Sequence, residues 1–300
     1  MTEIYTNIKS REDAEKLILQ SEHEFFADLA SAIENVFEEE TPKIITLSGP
    51  TCSGKTTTAD MLTERIKRSG KCAVVLSIDD FFCNQSSINV VEGESPDYDS
   101  VKAIDLDYLG KVVSRLDAGK EVLIPKYYFP VASRIGYREY YPDENDIYVY
   151  EGIQAVYPEV TSLFASSHKS IFICVNDNVS YRGTTLTAHE IRLLRRLVRD
   201  YRFRNATAEF TLHLWEGVRN NEDTHIFPNA RNCDVYINSF LEYEPFIIAP
   251  IAAELLRTVD KDSRYRAEAE LLLEKLEVFD NPYFDDRMIP ANSVFREFIG

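Results

Sequence analysis

The chain has 300 residues and a formal net charge of −17, and 44% of its residues are hydrophobic. This size and composition are typical of one large globular domain, or of one domain with appendages. No run of about 18 apolar residues occurs, so no transmembrane helix is expected, and the first residues lack the apolar stretch of a signal peptide. The negative charge argues against nucleic-acid and anionic-membrane partners.

The cysteines indicate a reducing compartment. They are odd in number and include no C-x-x-C pair, a pattern that favours free thiols over a disulfide or zinc framework. The five histidines show no metal-ligand spacing either. Together with the missing leader and membrane span, these features predict a cytoplasmic protein. The cysteines are Cys52, Cys72, Cys83, Cys174 and Cys233.

In chain order, an acidic helix comes first, at 11–40, where Phe26, Leu29, Ile33 and Phe37 recur at helical spacing. Short, nearly continuous apolar runs follow, which are typical of strands buried on both faces of a parallel sheet. These predicted strands are 44–47, 73–78, 147–150, 171–175 and 235–237. Helical patterns lie near 55–69, 101–118, 187–220, 246–258 and 262–278, and polar loops are predicted at 83–100 and 130–146.

The strongest motif lies between the first predicted strand and the helix after it, and it matches G-x-x-x-x-G-K-[ST] in full. Its glycines let successive backbone N–H groups turn inward toward phosphates, and the helix N-terminus adds its positive dipole end. Lys55 is expected on the β- and γ-phosphates and Thr56 on Mg²⁺. A GTPase would also need N-K-x-D, and the chain has no Asn-Lys pair. The predicted nucleotide-binding residues are Gly49, Pro50, Thr51, Cys52, Ser53, Gly54, Lys55, Thr56 and Thr57.

Acidic residues follow two other predicted strands. Asp79 and Asp80 come after the second strand, and Glu151 after the third. Ligands of open parallel sheets bind beyond the carboxyl ends of the strands, so these acids should approach the motif. We expect Asp79 to be the general base and to assist in holding metal, and Glu151 to belong to the Mg²⁺ site. Asp80 should point away, because side chains alternate along a strand; the alternative is that the acids only cap the next elements.

Seven arginines and two acids lie between 182 and 204, a basic concentration in an acidic chain. One helical face carries most of these arginines, while Leu194, Leu197, Val198 and Tyr201 form the face that should pack. Guanidinium groups bind phosphate oxygens bidentately, so the pattern predicts a helical lid that closes on ATP. A solvated face and a nucleic-acid patch are the alternatives. The arginines of the predicted lid face are Arg192, Arg195, Arg196, Arg199 and Arg202.

These elements predict an α/β protein with the three-layer P-loop NTPase fold, a mainly parallel sheet, an arginine-rich helical lid and helical N- and C-terminal extensions. The predicted boundaries are 1–40 for the N-terminal arm, 41–242 for the kinase domain with its lid at about 182–220, and 243–300 for the C-terminal extension. The two extensions are candidates for the interface of a homo-oligomer.

Over roughly 43–242 the chain resembles the uridine kinase and phosphoribulokinase family. The matching segments are GPTCSGKTTT at 49–58, LSIDDFF at 76–82, PDYDS at 96–100, IPKYYF at 124–129, EGI at 151–153 and RRLVRDYRFR at 195–204. Residues 292–300 are similar to the ends of bacterial members. The resemblance implies ATP- and Mg²⁺-dependent phosphorylation of a hydroxyl.

The resemblance also implies roles for particular residues. Asp79 matches the acid that activates the sugar 5′-hydroxyl, Asp99 the acid that holds the ribose hydroxyls, and Tyr127 the tyrosine that stacks near the base. Uridine kinases carry a base-reading histidine five residues after that tyrosine, and Ala132 stands there in this chain. The arginines that match the family's phosphate-contacting lid residues are Arg196, Arg199 and Arg204.

The sequence therefore predicts a kinase that transfers a phosphoryl group from ATP to a hydroxyl of a small molecule, foremost a nucleoside. Lys55, Asp79 and Arg199 are the predicted catalytic residues. Two alternatives remain open: a kinase for another metabolite, with Arg134 and Arg138 available for a phosphorylated substrate, and a nucleotide-binding regulator without catalysis.

Overall fold

The computed structural model describes residues 2–3, 8–84, 100–165 and 167–300. The α-helices are α1 (Arg11–Asn35), α2 (Lys55–Arg68), α3 (Leu106–Asp117), α4 (Pro158–Thr161), α5 (Ala188–Arg204), α6 (Ala208–Asn221), α7 (Phe227–Ala230), α8 (Glu244–Arg257), α9 (Arg266–Leu276) and α10 (Arg296–Ile299). The strands are β1 (Thr2–Glu3), β2 (Ile44–Ser48), β3 (Cys72–Ser77), β4 (Val122–Tyr128), β5 (Ser133–Tyr140), β6 (Asp146–Glu151), β7 (His168–Cys174), β8 (Val179–Tyr181), β9 (Thr184–Leu186) and β10 (Val235–Asn238). Single 3₁₀ turns include Ile78–Phe81 and Ile153–Val156, and Glu222–Ile226 is a π-helical turn.

Five parallel strands form the central sheet, in the order β10–β7–β2–β6–β3. All five predicted strands are present, with ends that differ by at most three residues from the prediction. The α/β class with a mainly parallel sheet is confirmed. Because all five strands run the same way, the loops after their carboxyl ends meet at one edge of the sheet, where the motif residues lie.

Both faces of the sheet are covered by helices, which explains why its strands are apolar without alternation. Along β2, Ile45 and Leu47 join the larger core with α1, α2, α5 and α8, while Ile44 joins a second core with α3. In β6, Val149 likewise joins the larger core, and its neighbour Tyr150 joins the second core. The side chains of α1, α8 and α9 thus share a core with one face of the sheet.

An antiparallel hairpin, β4–β5, was not predicted. The prediction of a loop over 130–146 is wrong for Ser133–Tyr140, which forms the second hairpin strand. No residue of that strand is fully buried, and Ile135 and Tyr137 are each 55% exposed. A strand without a buried face carries no alternating pattern, so its composition resembles that of a loop.

The predicted helix at 187–220 is divided into α5 and α6. Thr187 caps α5 through a reciprocal pair of hydrogen bonds with Glu190. The helix ends at Asn205, whose φ of 54° is left-handed, and Thr207 then caps α6. No helix in the described ranges is long and apolar enough to cross a bilayer.

Candidate active site

The motif 49–56 forms the loop between β2 and α2, and close packing dictates its glycines. A Cβ on Gly49 would lie 2.1 Å from the carbonyl oxygen of Ile173, so only glycine fits there. Gly54 has a φ of 95° and is the N-cap of α2. The Lys55 ammonium donates to the carbonyl oxygens of Gly49 at 3.0 Å and of Pro50 at 3.2 Å. The lysine therefore lies folded over its own loop, at the start of a helix whose first N–H groups suit an anion.

A cavity of about 450 Å³ opens at this loop and brings most of the predicted residues together. Its walls come from the loop, from the ends of β3 and β6, from α5 and from α10. Its lining residues are Thr51, Cys52, Ser53, Gly54, Lys55, Thr56, Asp79, Glu151, Gly152, Ile153, Arg199, Arg204, Glu297 and Phe298. Of the other predicted nucleotide-binding residues, Gly49 and Pro50 accept hydrogen bonds from Lys55, and Thr57 and Arg196 bond to residues that adjoin the cavity.

The two predicted acids reach the cavity from neighbouring strands. Asp79 lies in the 3₁₀ turn after β3, and Glu151 is the last residue of β6. Burial raises the pKa of the Glu151 carboxyl, and the nearby Lys55 ammonium partly offsets that rise. Gly152 follows with a φ of 155°, and a Cβ there would lie 2.8 Å from the Cβ of Ile78. The close approach of Gly152 to Ile78 sets the spacing between the end of β6, which carries Glu151, and the turn that carries Asp79.

Asp80 points away from the cavity, as predicted, but for a different reason. The strand ends at Ser77, and the 3₁₀ turn that follows separates the two acids. The Asp80 carboxylate accepts a hydrogen bond from the backbone N–H of Tyr127 at 3.0 Å. Burial raises its pKa, and this hydrogen bond lowers it in part. Asp80 thus fixes the end of β4, and Asp79 faces the cavity.

Three arginines of α5 gather around one buried carboxylate, that of Asp200, which is 3% exposed. Arg199 donates to it at 2.7 and 3.0 Å, Arg196 donates at 3.2 Å, and Arg204 lies 3.4 Å away. Arg199 also reaches the Thr51 hydroxyl of the loop at 3.5 Å. The cluster therefore sets three positive groups against one negative group beside the cavity.

The prediction that the arginine face of α5 closes on ATP as a lid is wrong for Arg192 and Arg195, whose side chains are fully buried in ion pairs. Arg192 pairs with Glu222, and Arg195 pairs with Glu244. Tyr201, predicted on the packed face, is 57% exposed. The reason is that acidic partners from α8 and the π-helical turn approach the side of α5 that carries these two arginines.

Two of the predicted substrate residues lie on or beside the hairpin, and the third lies outside the described residues. Tyr127 is 6% exposed, and its ring makes edge contacts with Phe82 and Phe129 at 5.5 and 5.2 Å between centroids. Arg134 donates to Asp105 at 3.0 Å and to the carbonyl of Phe81 at 2.9 Å. Its guanidinium thus fastens the hairpin to the 3₁₀ turn that carries Asp79. Asp99 is the residue outside the described ranges.

Comparison with known proteins shows the family of this chain. The model of the phosphoribulokinase / uridine kinase family matches residues 44–243. The chain belongs to this family. Uridine-cytidine kinase A of Dictyostelium discoideum is 32% identical over 197 residues, which make up 65% of this chain and 36% of that protein. The uridine kinase of Ureaplasma urealyticum serovar 10 is 25% identical over 197 residues, 65% of this chain and 87% of that protein.

Among solved structures, a possible uridine kinase from Bacillus stearothermophilus aligns with 71% of this chain and 99% of its own, at a TM-score of 0.48 and 17% identity. The match of the phosphoribulokinase / uridine kinase family ends at residue 243, so α8, α9 and α10 lie beyond it. Two residues that line the cavity, Glu297 and Phe298, belong to this part of the chain.

Three residues that shape the site were not predicted from the sequence. Asp200 holds the arginines together, Glu244 neutralises Arg195, and Glu297 lies against the start of α2. Glu244 and Glu297 are separated from their partners by 49 and 240 residues, which no local pattern reveals. Asp200 had a signal, as the one acid within the run of arginines 195–204.

Proposed function

We propose that the protein is an ATP-dependent kinase that transfers the γ-phosphoryl group to a hydroxyl of a small molecule, foremost a nucleoside. The observation that carries this proposal is a single cavity lined by Lys55, Thr56, Asp79, Glu151 and Arg199. It combines a phosphate-binding loop, two carboxylates and guanidinium groups, the parts that phosphoryl transfer to a hydroxyl requires. The names of the family relatives support the nucleoside acceptor.

Each of these residues has its own role in the reaction. The Asp79 carboxylate takes the proton of the acceptor hydroxyl as its oxygen bonds to the γ-phosphorus and the bond to the β-phosphate oxygen breaks. The Lys55 ammonium leaves the carbonyls of its own loop to contact the β- and γ-phosphates. Arg199, with Arg196 and Arg204 beside it, balances the charge of the transferred group.

The residues present also fit Mg²⁺. Within the described ranges no group of three or more His, Cys, Asp or Glu side chains is placed to hold a metal ion alone. Mg²⁺ commonly uses one or two carboxylates together with substrate phosphates and water rather than a cage of protein ligands. Thr56, Glu151 and Asp79 are the residues that would hold it, and the bound ion supplies neutralisation of the phosphate oxygens.

The acceptor site lies next to the hairpin. Phe82 and Tyr127 are buried and support the ring of Phe129 by edge contacts, and this ring, 52% exposed, is the one on which a nucleobase can stack. Arg134 is 13% exposed in its side chain and already pairs with Asp105. This engagement favours an unphosphorylated acceptor over a sugar phosphate.

The test is a coupled assay of ADP release with Mg²⁺, ATP and a panel of nucleosides and sugar alcohols. Asp79→Asn should lower kcat by about 10²-fold or more, as expected for loss of a general base, and Lys55→Ala should abolish activity. Asp80→Asn is the matched control, because the adjacent carboxylate faces away and an amide oxygen still accepts from Tyr127. Near-wild-type kcat in Asp79→Asn would refute the proposed role of Asp79.

We also propose a cytoplasmic location and leave the homo-oligomer as a prediction. All five cysteines are free thiols, which suits a reducing compartment. Exposed leucines on the two predicted extensions, Leu19 at 65% and Leu271 at 63%, are candidates for subunit contact. Light scattering of the purified chain, with Leu19→Lys and Leu271→Lys variants, tests the oligomer.

A further inference from the structure

A segment near the end of the chain, residues 293–299, lies across the phosphate-binding loop. We call it the tail segment. Its Glu297 carboxylate accepts hydrogen bonds from the backbone N–H of Thr57 and from the Thr57 hydroxyl, both at 2.7 Å. Glu297 and Phe298 also line the cavity that holds Lys55 and Asp79. A carboxylate thus reaches into the site from a part of the chain beyond the family match.

The position of this carboxylate is one that suits an anion. Thr57 is the third residue of α2, and the N–H groups of the first turn of a helix have no partner within it. Such N–H groups, next to the positive end of the helix dipole, bind phosphate in loops of this kind. In this structure the N–H of Thr57 is satisfied by Glu297. A nucleotide phosphate that needs this donor would compete with the carboxylate.

The tail segment is firmly docked. Phe295 and Phe298 are buried, and the Phe298 ring lies 4.7 Å from the guanidinium carbon of Arg195. The carbonyl of Ile299 accepts a hydrogen bond from Arg202. A methyl group of Val294 lies only 2.7 Å from the place that a Cβ on Gly54 would take. These contacts tie the segment to both the loop and α5, so Glu297 is held at Thr57 and does not reach it by chance.

We propose that Glu297 is an intramolecular competitor for the phosphates of the nucleotide. Its carboxylate holds the N–H and hydroxyl of Thr57 in the nucleotide-free protein and gives way when a polyphosphate binds. The tail segment therefore sets the affinity of the nucleotide site. This inference rests on the proposed function, because it concerns the same phosphate-binding loop.

Two substitutions separate the charge of Glu297 from its hydrogen bonds. In Glu297→Gln the amide oxygen still accepts from Thr57, but the negative charge is gone. In Glu297→Ala both are lost. We expect ADP with Mg²⁺ to bind about tenfold tighter to the alanine variant, since a hydrogen bond to a charged group no longer has to be broken. The glutamine variant should lie between the alanine variant and the wild type.

The measurement is isothermal titration calorimetry of the full chain with ADP and Mg²⁺, and thermal denaturation checks that each variant is folded. Glu277→Gln is the matched control, because it removes the same charge from an exposed site away from the cavity. If Glu297→Ala is unstable, Glu297→Gln alone decides whether removing the charge strengthens or weakens ADP binding. Unchanged or weaker ADP binding in the folded Glu297 variants would overturn this proposal alone, whereas no ADP binding by the wild type and by both folded Glu297 variants would overturn the proposed function as well.

Discussion

The buried pair of Arg195 and Glu244 should be the most sensitive point of the fold. The Arg195 guanidinium donates five hydrogen bonds. Two go to the carboxylate of Glu244, at 2.5 and 2.7 Å, and two go to Ser239. The fifth goes to the carbonyl oxygen of Cys52 in the phosphate-binding loop. Both side chains of the pair are fully buried. Arg195→Met keeps much of the volume but leaves the carboxylate of Glu244 without its partner.

Removing one member of a buried ion pair costs about 3 to 5 kcal/mol, because an uncompensated charge stays inside. Total stabilities are about 5 to 15 kcal/mol, so Arg195→Met should remove a large part of the free energy of unfolding. Adding Glu244→Leu removes the stranded charge, and the double variant should therefore be more stable than Arg195→Met. The loop also loses the donor at Cys52, so ADP should bind more weakly to Arg195→Met.

Urea denaturation, followed by the fluorescence of Trp215, the single tryptophan, measures the free energy of unfolding of Arg195→Met and of the double variant. Arg264→Met is the matched control, because Arg264 pairs with Glu216 at 2.6 Å with both side chains more than 60% exposed. Such surface pairs contribute at most about 1 kcal/mol. A loss in Arg195→Met no larger than that in Arg264→Met, or a double variant less stable than Arg195→Met, would refute the argument.

Three further predictions concern stability. Gly152→Ala would place a Cβ 2.8 Å from that of Ile78 and should lower the free energy of unfolding by about 1 to 3 kcal/mol. Gly217 lies within α6 and faces open space, so Gly217→Ala should raise the free energy of unfolding by about 0.5 to 1 kcal/mol in the same urea assay. Burial and then the nearby Glu24 raise the pKa of the Glu242 carboxyl above the ordinary value of about 4.5, so its charged form disfavours folding. Glu242→Gln should therefore stabilise the protein at neutral pH, with a gain that shrinks as pH falls through the raised pKa toward 4.5; urea titrations at pH 7 and 5 that show no gain, or a larger gain at pH 5, would contradict this.

The central strands and the loop were predictable because their signals are local. The central strands β2 and β6 are buried on both faces, so each is a nearly continuous apolar run, and the spacing from Gly49 to Thr56 alone defines the phosphate-binding loop. The acids Asp79 and Glu151 follow from the rule that parallel strands present their carboxyl ends to a ligand.

The remainder of the site depends on pairs of residues distant in sequence. Helical periodicity placed Arg192 and Arg195 on a polar face, yet both are buried, because Glu222 and Glu244 come to meet them from 30 and 49 residues away. A buried arginine and an exposed one have the same pattern in sequence. The approach of Glu297 to the loop is equally non-local, and so its place in the site comes from the structure alone.

The three arginines around the single carboxylate of Asp200 also preorganise the site for a phosphate. Gathering Arg196, Arg199 and Arg204 at one carboxylate brings like charges together, and this arrangement is already formed when the chain folds. A phosphate that arrives therefore meets donors already in place, with little reorganisation left for the reaction itself. By linkage, any polyphosphate that relieves the repulsion among these arginines should stabilise the whole fold, even one that carries no base.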